Sequence, residues 1–492
     1  MKQQRLGLAA VLCLALFSIL VRTCTAQVPP SRAEEERRRK EADKAHKAKV
    51  GYRSEALPSW LFFDYGGNTA AIYEKIGNKP SALPSISAFT SDTNLWTDIE
   101  LFDTHHFYGR FRMTYLDQDF TNATEEHGFV GDMEELHYTC DLGNLLKIRS
   151  LADQPFRSQV RVGRQYLTLG QGMTYANYSD AVQAEAAWGG LQGKMFVART
   201  IKYYNNIDTS VPGRDNDRRF FGGEFRYELM KPFQPYLFFL VEHDHSDEHP
   251  KDPYRDYQYN ARYLGLGAEG EVFKGLTYHA EYIRQSGRTM GESIENRAVE
   301  PGWPFPAFYV PTPMNIHKDP IRAYAVDIGV DYEFDRPDQP VMGFGYIHGS
   351  GDADRLIPGS TIGGNLAHTH DRGFLEFGYV PVGYVLDPMV SNMHIYRTSF
   401  AVTPFYDREP FESLRFGVSH YVFRKDKLTG GISDQAALRD HKGVGQELDF
   451  FVTWDPLRDV SVGAQYGMFF PGRAYEKRDM NDYFMVSVSY RF

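Results

Sequence analysis

The chain has 492 residues, a formal net charge of −10, 15% aromatic residues and a mean hydropathy of −0.46. This hydropathy excludes a helical membrane protein, and the acidic balance argues against nucleic acid as a partner. The length is large for one soluble domain but suits a single large barrel, in which alternate residues carry the apolar surface and the mean hydropathy stays low.

Met1 to Ala26 has the form of a secretory signal peptide: Lys2 and Arg5 start it, Leu6 to Val21 is apolar, and small residues precede a cut at Gln27. A lipoprotein cut before Cys24 is an alternative that Arg22 fits poorly. Cleavage removes Cys13 and Cys24, so only Cys140 remains and no internal disulfide is expected. The segment 27–59 is a charged periplasmic lead. Its run SRAEEERRRKEADKAHKAK has no apolar stripe and reads as a solvated tail, with no site assigned to it.

From Trp60 to Phe492 the chain is a series of alternating segments about ten residues long, the length at which a tilted strand crosses a bilayer. Strands are predicted near 60–73, 94–104, 106–117, 133–142, 158–168, 180–189, 191–204, 219–230 and 233–245. Further strands are predicted near 259–270, 275–287, 321–334, 340–349, 393–406, 411–424, 443–455, 458–470 and 482–492. The connections at 190, 231–232, 271–274, 335–339, 407–410 and 456–457 are short. Those at 205–218, 246–258, 288–320, 350–392, 425–442 and 471–481 are long. Tight periplasmic turns alternating with long outer loops are the habit of an outer-membrane barrel. The connection 143–157 breaks this rule. A strand-like stretch at 374–380 would also break it, and is placed within the 350–392 loop. The expected fold is therefore all-β: a transmembrane antiparallel β-barrel of about eighteen strands behind an N-terminal signal peptide.

Alternation also assigns faces. In 321–334, Tyr324, Val326, Ile328 and Val330 oppose Asp327 and Asp331; in 458–470, Val460, Val462 and Ala464 oppose Ser461, Gly463 and Gln465. In the closing stretch NDYFMVSVSYRF, Phe484, Val486, Val488, Tyr490 and Phe492 take the lipid side. Parity sends Arg110, Arg112, Arg161, Arg226, Arg397 and Arg415 into the lumen, together with acids that include Glu135, Glu224, Glu281, Asp327, Glu447 and Asp449. Arg262, Arg284 and Arg322 share parity with apolar neighbours and are expected at a rim. Arg164 has lipid parity unless Gly163 hosts a bulge.

Two internal stretches, VRVGRQ at Val160 to Gln165 and GVGQELDFFVT at Gly443 to Thr453, together with the ending GMFFPGRAY…VSVSYRF, resemble the alginate export porin family of the bacterial outer membrane. The resemblance runs loosely from about Trp60 to Phe492. It implies an eighteen-stranded barrel, export of an anionic polysaccharide through an arginine-lined lumen, and a terminal Phe492 read by the barrel assembly machinery. The lumen read here from parity is mixed in charge rather than uniformly basic.

Lumenal arginines supply the fixed positive charge an anion channel needs, or else pair with lumenal carboxylates and brace the wall. The densest ligand-type cluster is Glu242-His243-Asp244-His245 with Asp247, Glu248 and His249. It could hold a divalent cation bridging lipopolysaccharide, but its spacing matches no closed zinc motif and a solvated loop explains it as well, so no metal site is assigned. No cofactor is expected. The GSGD at Gly349 to Asp352 lacks the form of a hydrolase elbow, and no residue is assigned a catalytic role. The sequence thus describes an outer-membrane porin that exports or diffuses an anionic polysaccharide or a small anionic or sugar solute. Its surroundings are outer-membrane lipid and lipopolysaccharide. A general diffusion pore is the alternative within the class, and a barrel-borne surface hydrolase the alternative outside it.

Overall fold

A computed structural model describes residues 58, 60–77, 86–120, 126–147, 150–151, 154–201, 217–228, 230–245, 259–298, 309–355 and 369–492. The signal peptide, nearly all of the charged lead, and His249 with the acids before it lie outside these residues.

Eighteen antiparallel strands form the wall. They are β1 (Leu61–Ile76), β2 (Ile86–Leu101), β3 (His105–Phe120), β4 (Glu126–Asp141), β5 (Gln154–Leu169), β6 (Tyr175–Trp188), β7 (Leu191–Arg199), β8 (Arg218–Tyr227) and β9 (Gln234–Asp244). They continue as β10 (Asn260–Phe273), β11 (Leu276–Ala298), β12 (Tyr309–Glu333), β13 (Val341–Gly349), β14 (Met393–Val402), β15 (Arg415–Lys425), β16 (Gly443–Leu457), β17 (Val460–Pro471) and β18 (Asn481–Arg491). Each strand pairs with its sequence neighbours, and β18 pairs with β1 to close the sheet. Phe492 seals this seam: its N–H donates to the Gly67 carbonyl at 3.0 Å and its carbonyl accepts from the Gly67 N–H at 2.9 Å.

The expected faces hold. Phe484, Val488, Tyr490 and Phe492 are exposed on the outer surface, while Tyr483 and Met485 are buried within. Aromatic stacks ring the periplasmic end, among them Trp60 on Phe102 at 5.2 Å and Phe411 on Trp454 at 5.4 Å. Their amphipathic edges suit the headgroup level.

Three features depart from the sequence reading. The connection after β4 is long because it carries a single helical turn, α1 (Leu142–Leu145), capped by the Asp141 carboxylate accepting from the Asn144 N–H at 2.8 Å, and then a two-residue ladder, Ser150–Leu151. β11 and β12 extend beyond the bilayer to the pair Ala298↔Tyr309, where polar sequence without alternation reads as loop. The third departure is the lumen, which is not polar throughout. The segment 369–392 folds into it, and Phe374, Leu375 and Phe377 are fully buried there against Tyr175, Phe220, Tyr259 and Tyr263. The stretch 374–380 is therefore no wall strand, as expected, and its apolar residues fill the outer half of the barrel.

Candidate functional site: a plugged pore with paired and unpaired arginines

Two insertions narrow the lumen. The first is the upper part of the β5–β6 hairpin. The β4–β5 ladder ends at Leu136↔Arg164 and the β6–β7 ladder begins at Asp180↔Arg199, so residues 165–169 and 175–179 pair with each other and not with the neighbouring wall strands. Gly163 sits at this departure with φ +127°, and a Cβ there would lie 2.3 Å from the Leu136 carbonyl oxygen, so the close approach requires glycine. Freed from the wall, the hairpin crosses the lumen. Its tip donates from Gly170 N–H to Glu224 at 2.9 Å and from Gln171 N–H to Glu281 at 2.9 Å, on strands β8 and β11.

The second insertion is the segment 369–392. Phe377, Gly378 and Tyr379 donate their N–H groups to the carbonyls of Thr174, Met173 and Gly172 at the hairpin tip. Leu375 is held between the Gln285 side chain, which accepts its N–H at 3.0 Å, and the Tyr263 hydroxyl, which donates to its carbonyl at 2.7 Å. At its far end the Glu447 carboxylate of β16 accepts the N–H groups of Tyr384, Val385 and Leu386 at 2.6, 2.7 and 3.0 Å. Of the two short stretches singled out in the sequence, GRQ thus marks where the hairpin leaves the wall, and GQELD supplies the anchor of the plug.

All six lumenal arginines lie on the inner side of the wall, in two states. Arg110 pairs with Glu134 at 2.7 Å and Glu135 at 3.2 Å, and donates to the Tyr178 hydroxyl at 2.5 Å. Arg112 pairs with Asp92 at 2.5 Å, where Thr114 also donates. Arg226 bonds Glu269, pairs with Glu224 at 3.2 Å, and lies over the Tyr236 ring. Arg110 and Arg112 are only 5% and 3% exposed, so both guanidinium groups are buried against their carboxylate partners. Arg161 donates to Thr139 at 3.2 Å, and neither it nor Arg397 nor Arg415 makes an ion pair among the described residues. Arg397 lies directly across from Gly345, which leaves room for its guanidinium. It shares a rung with Tyr421 and Glu447, at the level of the plug anchor, whereas Arg415 begins β15 at the periplasmic end.

Beneath the hairpin tip, at the periplasmic mouth, a cavity of about 560 Å³ is lined by Arg157, Gln159, Glu185, Lys194, Glu224 and Arg226 and roofed by Thr168 and Gly170. Lys194 pairs with Glu224 at 3.2 Å.

Of the Glu242–His249 cluster, Glu242 to His245 lie among the described residues, and these four are not brought together as a metal site. Strand parity splits them: Glu242 and Asp244 point inward and face the fully buried Arg218 at 3.6 and 3.4 Å, while His243 is exposed on the outside. Arg164 keeps lipid parity without a bulge in its own ladder and pairs outside the hairpin's base with Asp180 at 2.9 Å. Arg218 was missed in the sequence because it lies one residue before the assigned strand. Its signal was the acid two apart on the neighbouring strand, at Glu242 and Asp244.

Comparison with known proteins bears on what such a barrel is. The sequence matches the family described as Alginate export over residues 85–486. The chain belongs to this family. A search of curated proteins finds no match. Among solved structures, the alginate export family protein is similar to Acinetobacter baumannii OccAB1, at TM-score 0.53 and 10% identity, covering 90% of this chain and 99% of that one. It is similar also to Pseudomonas aeruginosa OpdQ, at TM-score 0.51 and 12% identity over 89% and 99%, and to P. aeruginosa OccK5 (OpdH), at TM-score 0.51 and 10% identity over 87% and 98%. At these identities the likeness is one of fold. Family and fold together make the protein an outer-membrane channel.

Proposed function

We propose that this alginate export family channel passes an anionic polysaccharide or oligosaccharide, taken up at its periplasmic mouth. One observation carries the reading. Arg110, Arg112 and Arg226 are neutralised by carboxylates, whereas Arg161, Arg397 and Arg415 project from the inner wall with no ion pair among the described residues. Arg415 begins its strand at the periplasmic end, Arg161 stands at mid-strand just before the hairpin leaves the wall, and Arg397 stands at the level of the plug anchor. A polyanion entering from the periplasm meets these charges before the plug. An unpaired guanidinium in a confined lumen offers fixed donors to carboxylate groups and keeps its charge at any working pH. Catalysis is no part of this reading.

The experiment is the reversal potential of the purified channel under a salt gradient, with polyuronate added as a blocker. Replacing Arg161, Arg397 and Arg415 together by Gln should move selectivity towards cations and weaken polyuronate block. An unchanged reversal potential and unchanged block in the folded triple variant would sink the reading and favour a general diffusion pore.

A further inference from the structure

Four arginines on the outside of the barrel serve no role in the pore. Arg262 on β10, Arg284 and Arg288 on β11, and Arg322 on β12 are all exposed on the bilayer side. Ladder register places them round one residue, Ser286. Arg262 and Arg322 lie directly across from it on either side. Arg284 and Arg288 flank it two residues away on its own strand, on the same face. Opposite positions in a ladder are about 5 Å apart and diagonal ones about 7–8 Å, so four guanidinium groups can converge on one anion or on two adjacent anions. None of the four makes an ion pair among the described residues. Such an arrangement is self-repelling without an anionic occupant.

Depth says what that occupant is. One rung below the patch, Tyr282 and Tyr324 stack at 6.2 Å with Leu264 beside them, all exposed to lipid. Tyr332 and Phe273 make the matching contact at the periplasmic end of the same strands. From Tyr332 up to Arg322 is ten residues of strand, which at about 3.4 Å per residue and a tilt of about 40° spans about 26 Å, the height of the apolar band. The patch therefore stands at the headgroup level of the outer leaflet, on the end where the long loops lie. It faces away from the lumen, so a solute in transit does not meet it.

We infer that this patch is a binding site for the phosphorylated glycolipid headgroup of the outer leaflet. The guanidinium groups hold the glycolipid's phosphates through charge-assisted hydrogen bonds, and the Tyr282–Tyr324 pair and Leu264 pack against its acyl chains. The site would fix bound lipid against β10–β12, beside the hairpin that projects from the membrane.

The test uses the full chain, purified in mild detergent and given bisphosphorylated lipid A or the same lipid with both phosphates removed. Native mass spectrometry counts the lipid retained. The wild type should retain the bisphosphorylated lipid at least roughly ten-fold better, the size expected from loss of one or more charge-assisted bonds. Arg262→Gln/Arg284→Gln/Arg288→Gln/Arg322→Gln should abolish that preference, while Arg458→Gln in a periplasmic turn should leave it intact. Equal retention of the two lipids by the wild type overturns the inference, and so does full preference in the folded quadruple variant. The wild-type comparison decides the matter even if the quadruple variant does not fold.

Discussion

One carboxylate of the wall accepts three consecutive amides of the plug, and this makes the plug's function testable. Glu447 accepts three consecutive backbone N–H groups, from Tyr384, Val385 and Leu386, at 2.6, 2.7 and 3.0 Å. Gly383, at φ +105°, packs so closely that a Cβ there would lie 2.6 Å from Glu447 Oε1. Replacement of Glu447 by Ala leaves three amides without their acceptor. Hydrogen bonds to a charged group contribute about 1.5–3 kcal/mol each, and because these three are neighbours we take the joint loss as about 3–5 kcal/mol rather than their sum. A change of about 3 kcal/mol alters the ratio of seated to unseated segment by roughly 100-fold. The wall strands keep their own ladders, so the barrel itself should remain. Glu447→Ala should therefore give a folded barrel with larger and noisier single-channel conductance than wild type, and faster cleavage of the 369–392 segment by added protease. Gly383→Val, which cannot keep the same approach, should act in the same direction. A folded Glu447→Ala channel with wild-type conductance and wild-type protease resistance would show that Glu447 does not hold the plug closed.

Other outcomes follow from the wall. Val462 lies across from the exposed Val488, so Val462→Arg should lower the yield of folded barrel, at a cost of about 2–4 kcal/mol at mid-bilayer, while Gln465→Arg on the lumenal face should cost less. Equal folding of the two, measured by heat-modifiability, would invert the face assignment. Arg112→Ser strands the buried Asp92 and should destabilise the barrel by about 3–5 kcal/mol with little change in selectivity, as read from unfolding in denaturant beside the reversal potential. Deletion of Phe492 removes both hydrogen bonds to Gly67 at the closing seam, together with the aromatic terminus we take as the assembly signal. Outer-membrane levels of the truncated chain should collapse, and normal levels would refute both roles.

Much of this protein can be read along the chain because its wall obeys a local rule. Successive side chains of a strand point to opposite faces, so the alternation around Val330, Val462 and Phe484 determined which residues meet lipid, and the alternation of short and long connections determined the strand number and which end faces the periplasm. The inward direction of Arg110, Arg112, Arg161, Arg226, Arg397 and Arg415 came from the same rule. What those arginines meet did not, because their partners are set by which strands lie side by side and by what enters the lumen. Arg112 pairs with Asp92 across a ladder, whereas Arg110 also meets Tyr178 on a hairpin that has left the wall. Side-chain alternation continues through that hairpin, since its own two strands still pair, so strand parity does not show that it turns inward, and Gly163 at the departure gains its meaning only beside the Leu136 carbonyl. The plug was legible only as an apolar stretch in an outer loop. Its seat depends on Glu447, more than sixty residues further on and on a different strand. The arginine patch on the outside shows the same division: parity placed Arg262, Arg284 and Arg322 away from the lumen, and only the register of β10, β11 and β12 gathered them with Arg288 round Ser286. Face is a property of one strand and is written in its sequence. Register, plug and ion pairing are properties of distant segments brought together, and only the closed barrel decides them.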